Sequence, residues 1–415
     1  MPKELDVYLH NNLVGLLAQD ETGEATFQYA DGWLGNPNAM PVSHSLPLRE
    51  SPFSRRECAG FFGGILPEGE KRRLIARNLG ISAKNDVAML QEIGGECGGA
   101  ITFVQSGESL LLSGNSHQEL TEPELAVRLR QLPRRPLLAG DGHLRLSLAG
   151  AQDKVPVYVE DDRISLPLNG ALSTHILKPD VGHFNGIVRN EWLCMQLAQD
   201  VGIPTAKVGI RNAEDVEYLI VERYDRVWDS SRTLRRIHQE DFCQALGITS
   251  ENKYQSEGGP SISQCVQLLR SACTTPAVDI NRFVDAVIFN FLLGNNDAHG
   301  KNFSLLYTEQ PGGSVRTVFA PSYDIVCTRH YPELSSRMAM KIGHEYDPDR
   351  IQPRHFDQLA EESRLNTTYL RRRVIDIAGR TIAKLSSYGP SDGVGALVSK
   401  FIEEHCTRVL SAFSK

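Results

Sequence analysis

At 415 residues the chain is longer than one ordinary hydrophobic core encloses, so two or three packed units are expected. A composition 41% hydrophobic and 23% charged excludes both a disordered chain and a membrane-embedded one. A formal charge of −7 argues against a protein that coats nucleic acid by bulk electrostatics. The chain opens on an alternating stretch, Leu5-Asp6-Val7-Tyr8-Leu9, followed by a break at Gly15 and a second strand over Ala25 to Tyr29. Residues 53 to 93 read as helical, with Ser54 as a cap and a helix from Lys71 to Leu79 that stops at Gly80. The basic run Glu70-Lys71-Arg72-Arg73 reads as a solvated helix face. Gly94-Gly95-Glu96-Cys97-Gly98-Gly99 turns the chain into a strand, Ala100 to Val104, and the Ser- and Gly-rich residues 106 to 118 mark a boundary.

A helix over Glu122 to Leu132 is followed by a strand-rich block. Alternation appears at Leu144 to Leu148, Val155 to Val159 and Thr174 to Lys178. A helix from Asn190 to Val201 is stopped by Gly202 and Pro204, and two more strands are expected at Ala206 to Ile210 and Tyr218 to Glu222. From Gln239 onward the period is helical, apart from a short hairpin formed by Asn302 to Tyr307 and Thr317 to Phe319. The expected fold is therefore α+β, with a β-rich lobe followed by a helical lobe, an arrangement that suits a site at a lobe interface.

None of the eight cysteines forms a C-x-x-C pair, and several lie among apolar residues, as buried reduced thiols do. The twelve histidines contain no H-E-x-x-H. Met1 to Asp6 carries two acids and no apolar signal region, and no apolar run reaches spanning length. A cytoplasmic protein with no membrane partner is expected.

The chemistry concentrates at Leu293-Gly294-Asn295-Asn296-Asp297-Ala298-His299-Gly300-Lys301-Asn302-Phe303. An apolar helix ends at Gly294 and a strand begins at Phe303, so Asp297 and Asn302, five residues apart, share a loop. After the next strand, Tyr323-Asp324-Ile325 supplies a second acid. Phosphoryl transfer from ATP needs such a set. One carboxylate orients the acceptor hydroxyl and takes its proton, while an amide oxygen and another carboxylate hold Mg²⁺ against the phosphates. Asp and Asn are also common turn residues, but a loop between helix and hairpin, with Asp324 downstream, favours chemistry.

Two upstream features answer the same need. Lys178 ends an apolar strand where an ammonium could reach phosphates, and Glu191 opens the following helix as its partner. Leu219 to Asp225 runs from strand to loop, where Glu222 and Tyr224 could meet the edge and face of adenine; a core strand with a polar end fits that pattern equally well. Ser147 to Lys154 lies between two expected strands, contains a single glycine, and fails the G-x-G-x-x-G pattern. Its small residues 149 to 151 could still bring backbone N–H groups to a phosphate.

Together these residues resemble the HipA family of bacterial serine/threonine kinases, the toxins of toxin–antitoxin pairs. The resemblance runs along the whole chain, from the opening strand and Leu66-Pro67-Glu68-Gly69 through Ser147 to Lys154, Thr174 to Lys178, Val221 to Asp225, Asn296 to Asn302 and Tyr323 to Ile325. It implies a two-lobed protein-kinase-like fold with a small N-terminal β/α subdomain. The boundaries would be 1–110 for the subdomain, 111–238 for the kinase N-lobe with phosphate loop and hinge, and 239–415 for the helical C-lobe. Asp297 would be the catalytic base, and Asn302 and Asp324 the Mg²⁺ ligands. ATP would be met by Ala149, Gly150, Ala151, Gln152 and Lys154 of the phosphate loop, by Lys178, by Glu222 and Tyr224 of the hinge, and by His299. Ser147 falls where family members autophosphorylate and shut themselves down. The partners implied are a small helix-turn-helix antitoxin (HipB-like), operator DNA reached mainly through that antitoxin, and a protein substrate such as glutamyl- or another aminoacyl-tRNA synthetase, whose phosphorylation would stall translation and produce persistence. Ala298 and Gly300 around His299, and Asp153 before Lys154, depart from the family pattern without removing a required group.

Two other readings stand beside this one. Small-molecule phosphotransferases share the acid, amide and second acid, but commonly place the histidine before the aspartate, whereas His299 follows Asp297. A non-catalytic co-repressor module would have no use for Asp297, Asn302, Asp324 and Lys178 together.

Overall fold

The structure is a computed structural model describing residues 3–110, 116–182, 184–310, 312–388 and 393–414. The chain divides into two compact units, Met1–His183 with Arg211–Ser250 and Leu306–Arg316, and Phe184–Ile210 with Glu251–Leu305 and Thr317–Lys415.

The first unit opens with an antiparallel sheet of β1 (Lys3–Leu9), β2 (Asn12–Gln19), β3 (Ala25–Tyr29) and β4 (Ile101–Gln105), in the order β3-β2-β1-β4. Leu5, Val7 and Leu9 are buried on one face, as their two-residue period predicts. Gly15, expected to break the chain, instead lies inside β2. A Cβ there would sit 2.4 Å from the Gln28 carbonyl oxygen and 2.6 Å from the Phe27 ring, so only glycine lets β3 approach. Helices Arg55–Gly64, Gly69–Leu79 and Asp86–Ile93 follow. The first is capped at Ser54, whose N–H donates to the Glu57 carboxylate at 2.8 Å. The second ends at Gly80 in the left-handed region, φ 68°.

A six-stranded sheet completes this unit, in the order β5 (His117–Glu119), β7 (Arg163–Pro167), β6 (Val155–Glu160), β8 (His175–Pro179), β10 (Val216–Glu222) and β9 (Val208–Ala213). The strand expected at Leu144 to Leu148 does not form. This segment makes only an isolated bridge between Leu146 and Glu96, because its backbone partners come from the glycine-rich turn: Glu96 N–H donates to Arg145 O at 2.8 Å and Ser147 N–H to Glu96 O at 2.9 Å. Its alternation reflects Leu144, Leu146 and Leu148 entering the core.

The second unit is helical: Ile187–Asp200, Ile262–Ala272, Pro276–Leu293, Pro353–Ser363, Thr367–Leu385 and Val394–Phe413. Pro276–Leu293 is its axis, lying against Ile262–Ala272, Thr367–Leu385 and Val394–Phe413. Its apolar residues point in all directions and are almost all buried, as a central helix requires. It begins at Pro276, with proline in its first turn where a missing N–H costs nothing. All eight cysteines are free and buried. Among the described residues no helix is long and apolar enough to cross a membrane.

Within the first unit the glycine-rich turn meets the segment after β10 in a buried charge cluster. Glu96 Oε1 accepts from Arg223 Nη1 at 3.1 Å, Arg226 Nη2 at 2.8 Å and Ser173 Oγ at 2.8 Å, while Oε2 accepts from Arg236 Nη2 at 2.6 Å. Asp225 takes Arg223 Nε and Nη2 in a fork, at 2.9 and 2.8 Å, and the Gly99 N–H at 2.7 Å. Burial alone would raise the Glu96 carboxyl, but Arg226, Arg236 and Arg223 overcome it and hold the group at about 2. Burial likewise opposes ionisation of Asp225, and Arg223 and Arg226 hold it well below the usual carboxylate range. Replacing Glu96 by Gln leaves three guanidiniums with one carboxylate. The expected loss is about 3–5 kcal/mol, read from the first unit's unfolding in urea.

Glu240 is a contrasting buried acid, with Ser43 Oγ at 2.5 Å, the His44 N–H at 2.8 Å and the Tyr307 hydroxyl as donors. Without a cation among these donors, burial dominates and pushes its carboxyl up to about 7. A raised folded-state value means that its stabilising contribution is complete below the unfolded value of 4.5 and is lost as pH rises through about 7. The thermal midpoint is therefore expected to fall between pH 5 and pH 8, by the equivalent of roughly 2–3 kcal/mol, and Glu240→Gln to flatten that slope in calorimetry.

Candidate active site

In the second unit, Gly294 ends the central helix at φ 71°, and a Cβ there would meet the Phe401 ring at 2.6 Å. The loop that follows is held from both sides. Arg329 N–H and Thr328 Oγ1 donate to Gly294 O at 3.2 and 3.1 Å, and Asn296 N–H donates to Thr328 Oγ1 at 2.8 Å. Asp297 N–H donates to Asn295 Oδ1 at 3.2 Å, His299 N–H to Asp297 O at 2.8 Å, and Asn302 N–H to His299 O at 2.9 Å. These bonds wind Asp297 and Asn302 into one compact turn.

Asp324 lies on the loop after strand Val315–Phe319, in the left-handed region at φ 54°. A non-glycine residue held there carries backbone strain that the surrounding contacts must offset. Its neighbour Tyr323 supplies them: the hydroxyl donates to Lys301 O at 2.8 Å and shares a hydrogen bond with Ser304 Oγ at 2.7 Å. Asn190 secures the far side, accepting from Cys327 N–H at 2.9 Å and donating to Cys327 O at 3.0 Å. The two loops carrying Asp297, Asn302 and Asp324 are thus bonded to one another. Asn302 Oδ1 is buried and accepts no hydrogen bond among the described residues. Such an oxygen costs about 1–3 kcal/mol unless a ligand satisfies it. An amide oxygen and a carboxylate are hard donors, so the pair fits Mg²⁺.

Sequence reasoning missed Asn190, Tyr323, Thr328 and Tyr254. Asn190 opens the expected helix and Tyr323 adjoins Asp324, but nothing in the sequence marks either side chain as a support for these loops. Tyr254 lies far along the chain from Asp297, yet its hydroxyl donates to Asp297 Oδ1 at 2.6 Å, and its ring stands edge-on to His299 at 5.3 Å between centroids.

The first unit holds Ser147 to Lys154, Lys178, Glu222 and Tyr224. Ser147 is fully buried and donates to Ile65 O at 3.0 Å. Gly150 sits at φ 106°, where a Cβ would be 2.7 Å from Lys154 Nζ. Lys154 itself donates to Ala149 O, closing residues 149 to 154 into a tight loop. The helix at Gly69–Leu79 and the residues before it clasp this loop: Glu68 N–H donates to Gly150 O at 3.3 Å and Lys71 Nζ pairs with Asp153 at 2.6 Å. Arg72 pairs with Asp86. Within the run 70 to 73, Lys71 and Arg72 are therefore tied into the fold, while Glu70 and Arg73 are exposed as a solvated face predicts. Ala151 is exposed and Gln152 half-buried on the same loop.

Lys178 is buried on β8 opposite Leu219 of β10, and Glu222 is the exposed end of β10, opposite His175. Tyr224 is half-buried with its hydroxyl on Gln239 Oε1. It lies between Arg223 and Asp225, so the Glu96 cluster fixes the backbone on either side of it. Glu191, the expected partner of Lys178, is buried in helix Ile187–Asp200 of the second unit.

Residues 5–104 match the HipA N-terminal domain family, and residues 146–387 match the HipA-like C-terminal domain family. The chain is 43% identical over 381 residues to Y4mE of Sinorhizobium fredii, which is named as a candidate kinase, covering 91% of this chain and 90% of that protein. It is 31% identical over 360 residues to the serine/threonine-protein kinase toxin HipA of Shewanella oneidensis, covering 84% and 80%. Its fold matches the solved Shewanella oneidensis MR-1 complex of HipA, HipB and operator DNA with a TM-score of 0.84 at 26% identity, covering 99% of this chain and 98% of that one.

Proposed function

The chain belongs to the HipA family, and from that membership we propose that it is a serine/threonine-protein kinase toxin that transfers the γ-phosphoryl group of Mg-ATP to a protein hydroxyl. The observation that carries the reading is the buried Asn302 Oδ1 without a hydrogen-bond donor, on a loop bonded to the strained Asp324. Bound Mg-ATP supplies the phosphoryl group with its charge partly neutralised. Asp297 orients the acceptor hydroxyl and takes its proton, and Asn302 and Asp324 hold the metal. Lys178 neutralises phosphate charge, and residues 149 to 152 with Lys154 offer backbone N–H groups and an ammonium to the same phosphates. Glu222 and Tyr224 contact adenine, and His299 borders the nucleotide. The division into 1–110, 111–238 and 239–415 belongs to the same reading.

Ser147 is the proposed autophosphorylation site. Its hydroxyl is engaged with Ile65 O in the core, and a phosphate dianion does not fit a fully buried position, so modification would expel the loop and oppose ATP binding. A HipB-like helix-turn-helix antitoxin is the proposed partner, with operator DNA reached mainly through it, because the kinase carries a formal charge of −7. An aminoacyl-tRNA synthetase, glutamyl-tRNA synthetase among them, is the proposed substrate, in the cytoplasm.

With γ-labelled Mg-ATP the purified protein is expected to label itself. Asp297→Asn should lower that rate by about 10²–10⁴-fold while nucleotide binding by calorimetry is retained. Equal labelling of variant and wild type removes Asp297 from the chemistry, and label mapping to a residue other than Ser147 removes the proposed switch.

A further inference from the structure

The kinase reading assigns Asp297 the acceptor's proton but leaves open what holds its carboxylate in place. Asp297 is half-buried at the end of a turn, where a side chain free to rotate would present either oxygen, or neither, to an incoming hydroxyl. Tyr254 removes that freedom on one side, donating its phenolic O–H to Oδ1 at 2.6 Å.

The backbone beneath this contact is locked. Ala339 N–H donates to the carbonyl of Asn296, the residue before Asp297, at 2.7 Å. Ala339 O in turn accepts from the N–H of Gln255, the residue after Tyr254, at 3.0 Å. One residue, Ala339, thus ties together the immediate neighbours of the phenol and the carboxylate. Tyr254 O is itself fixed by the N–H groups of Glu257 at 2.9 Å and Gly259 at 2.8 Å, and the Gln255 side chain accepts from Lys341 N–H at 2.9 Å. The ring is flanked by the His299 imidazole at 5.3 Å and the Lys253 ammonium at 5.4 Å. Phenol and carboxylate therefore meet because their main chains are registered, not through one chance rotamer.

We propose that Tyr254 is a positioning residue for phosphoryl transfer: its hydroxyl holds Asp297 Oδ1 so that Oδ2 faces the acceptor hydroxyl. The inference rests on the kinase reading above. In the transfer, the acceptor oxygen bonds to the γ-phosphorus, the bond from that phosphorus to the departing ADP oxygen breaks, and the acceptor proton passes to Oδ2. The Tyr254 proton stays on its own oxygen throughout. A base oriented by a third group is the general logic of activated nucleophiles, and here the third group comes from a segment preceding helix Ile262–Ala272.

The test compares wild type, Tyr254→Phe, Asp297→Asn and the double variant of the full chain. It follows transfer from γ-labelled Mg-ATP to the protein itself and to casein. Tyr254→Phe is expected to lower kcat by about 10- to 100-fold, with KM for ATP, calorimetric Mg-ATP affinity and thermal midpoint unchanged. On the Asp297→Asn background it should cause no further loss, because the carboxylate it orients is gone. An unchanged or faster rate overturns the proposal, the faster rate showing that the phenol blocks the acceptor position. A loss carried by KM or the thermal midpoint, or one undiminished in the double variant, overturns it as well by making the role structural. If wild type binds Mg-ATP yet is no faster than Asp297→Asn, the kinase reading itself fails, and that is seen before Tyr254→Phe is compared.

Discussion

Glu96 sits under three guanidiniums in a place where water cannot reach it. A carboxylate so buried is tolerable only while each of its partners is present, and each arginine is tolerable only while Glu96 and Asp225 are charged. The acid comes from the part of the chain that matches the HipA N-terminal domain, and the arginines come from the part that matches the C-terminal one. Arg223 and Asp225 bracket Tyr224 at the end of β10, and Glu96 also holds Ser173 just before β8, the strand that carries Lys178. The N-terminal sheet and helices are therefore part of the scaffold that shapes the proposed hinge and lysine strand. The segment Ile65 to Lys71 does the same for the proposed phosphate loop through Ser147, Gly150 and Asp153.

The second unit solves a different problem, that of holding a strained, charged loop. Its answer is a set of polar side chains that replace missing backbone partners: Asn190 for Cys327, Thr328 for Gly294 and Asn296, Tyr323 for Lys301. Every one of these bonds is buried or half-buried, where a lost partner is costly. The loops are consequently preorganised, and among the buried oxygens that accept or share no hydrogen bond among the described residues, Asn302 Oδ1 is on the residue expected to bind metal.

Much of this was legible in the chain. The period-2 runs at Leu5 to Leu9, Val155 to Val159 and Tyr218 to Glu222 and the stops at Gly80 and Gly294 depend on local sterics and burial, which neighbouring residues encode. Gly15 was misread because its role depends on a ring and a carbonyl of the adjacent strand, not on its own neighbours. Leu144 to Leu148 alternates like a strand but finds its backbone partners in a distant turn. At the site, the spacing of Asp297, Asn302 and Asp324 was visible because all three occupy loops at the ends of regular elements. Tyr254 was invisible because a phenol within reach of Asp297 is a product of tertiary register. The Glu96 cluster was likewise hidden, since arginines after a strand read as surface residues until an acid is folded onto them.

The central claim is that Asn302 and Asp324 form a metal site serving ATP. Crystals of the protein grown with Mg²⁺ and a non-hydrolysable ATP analogue test it directly. The account predicts a metal bound to Asn302 Oδ1 and to the Asp324 carboxylate at about 2.0–2.1 Å, bridging to the phosphates of the analogue. A nucleotide bound with its metal elsewhere, and Asn302 Oδ1 still without a partner, would contradict it.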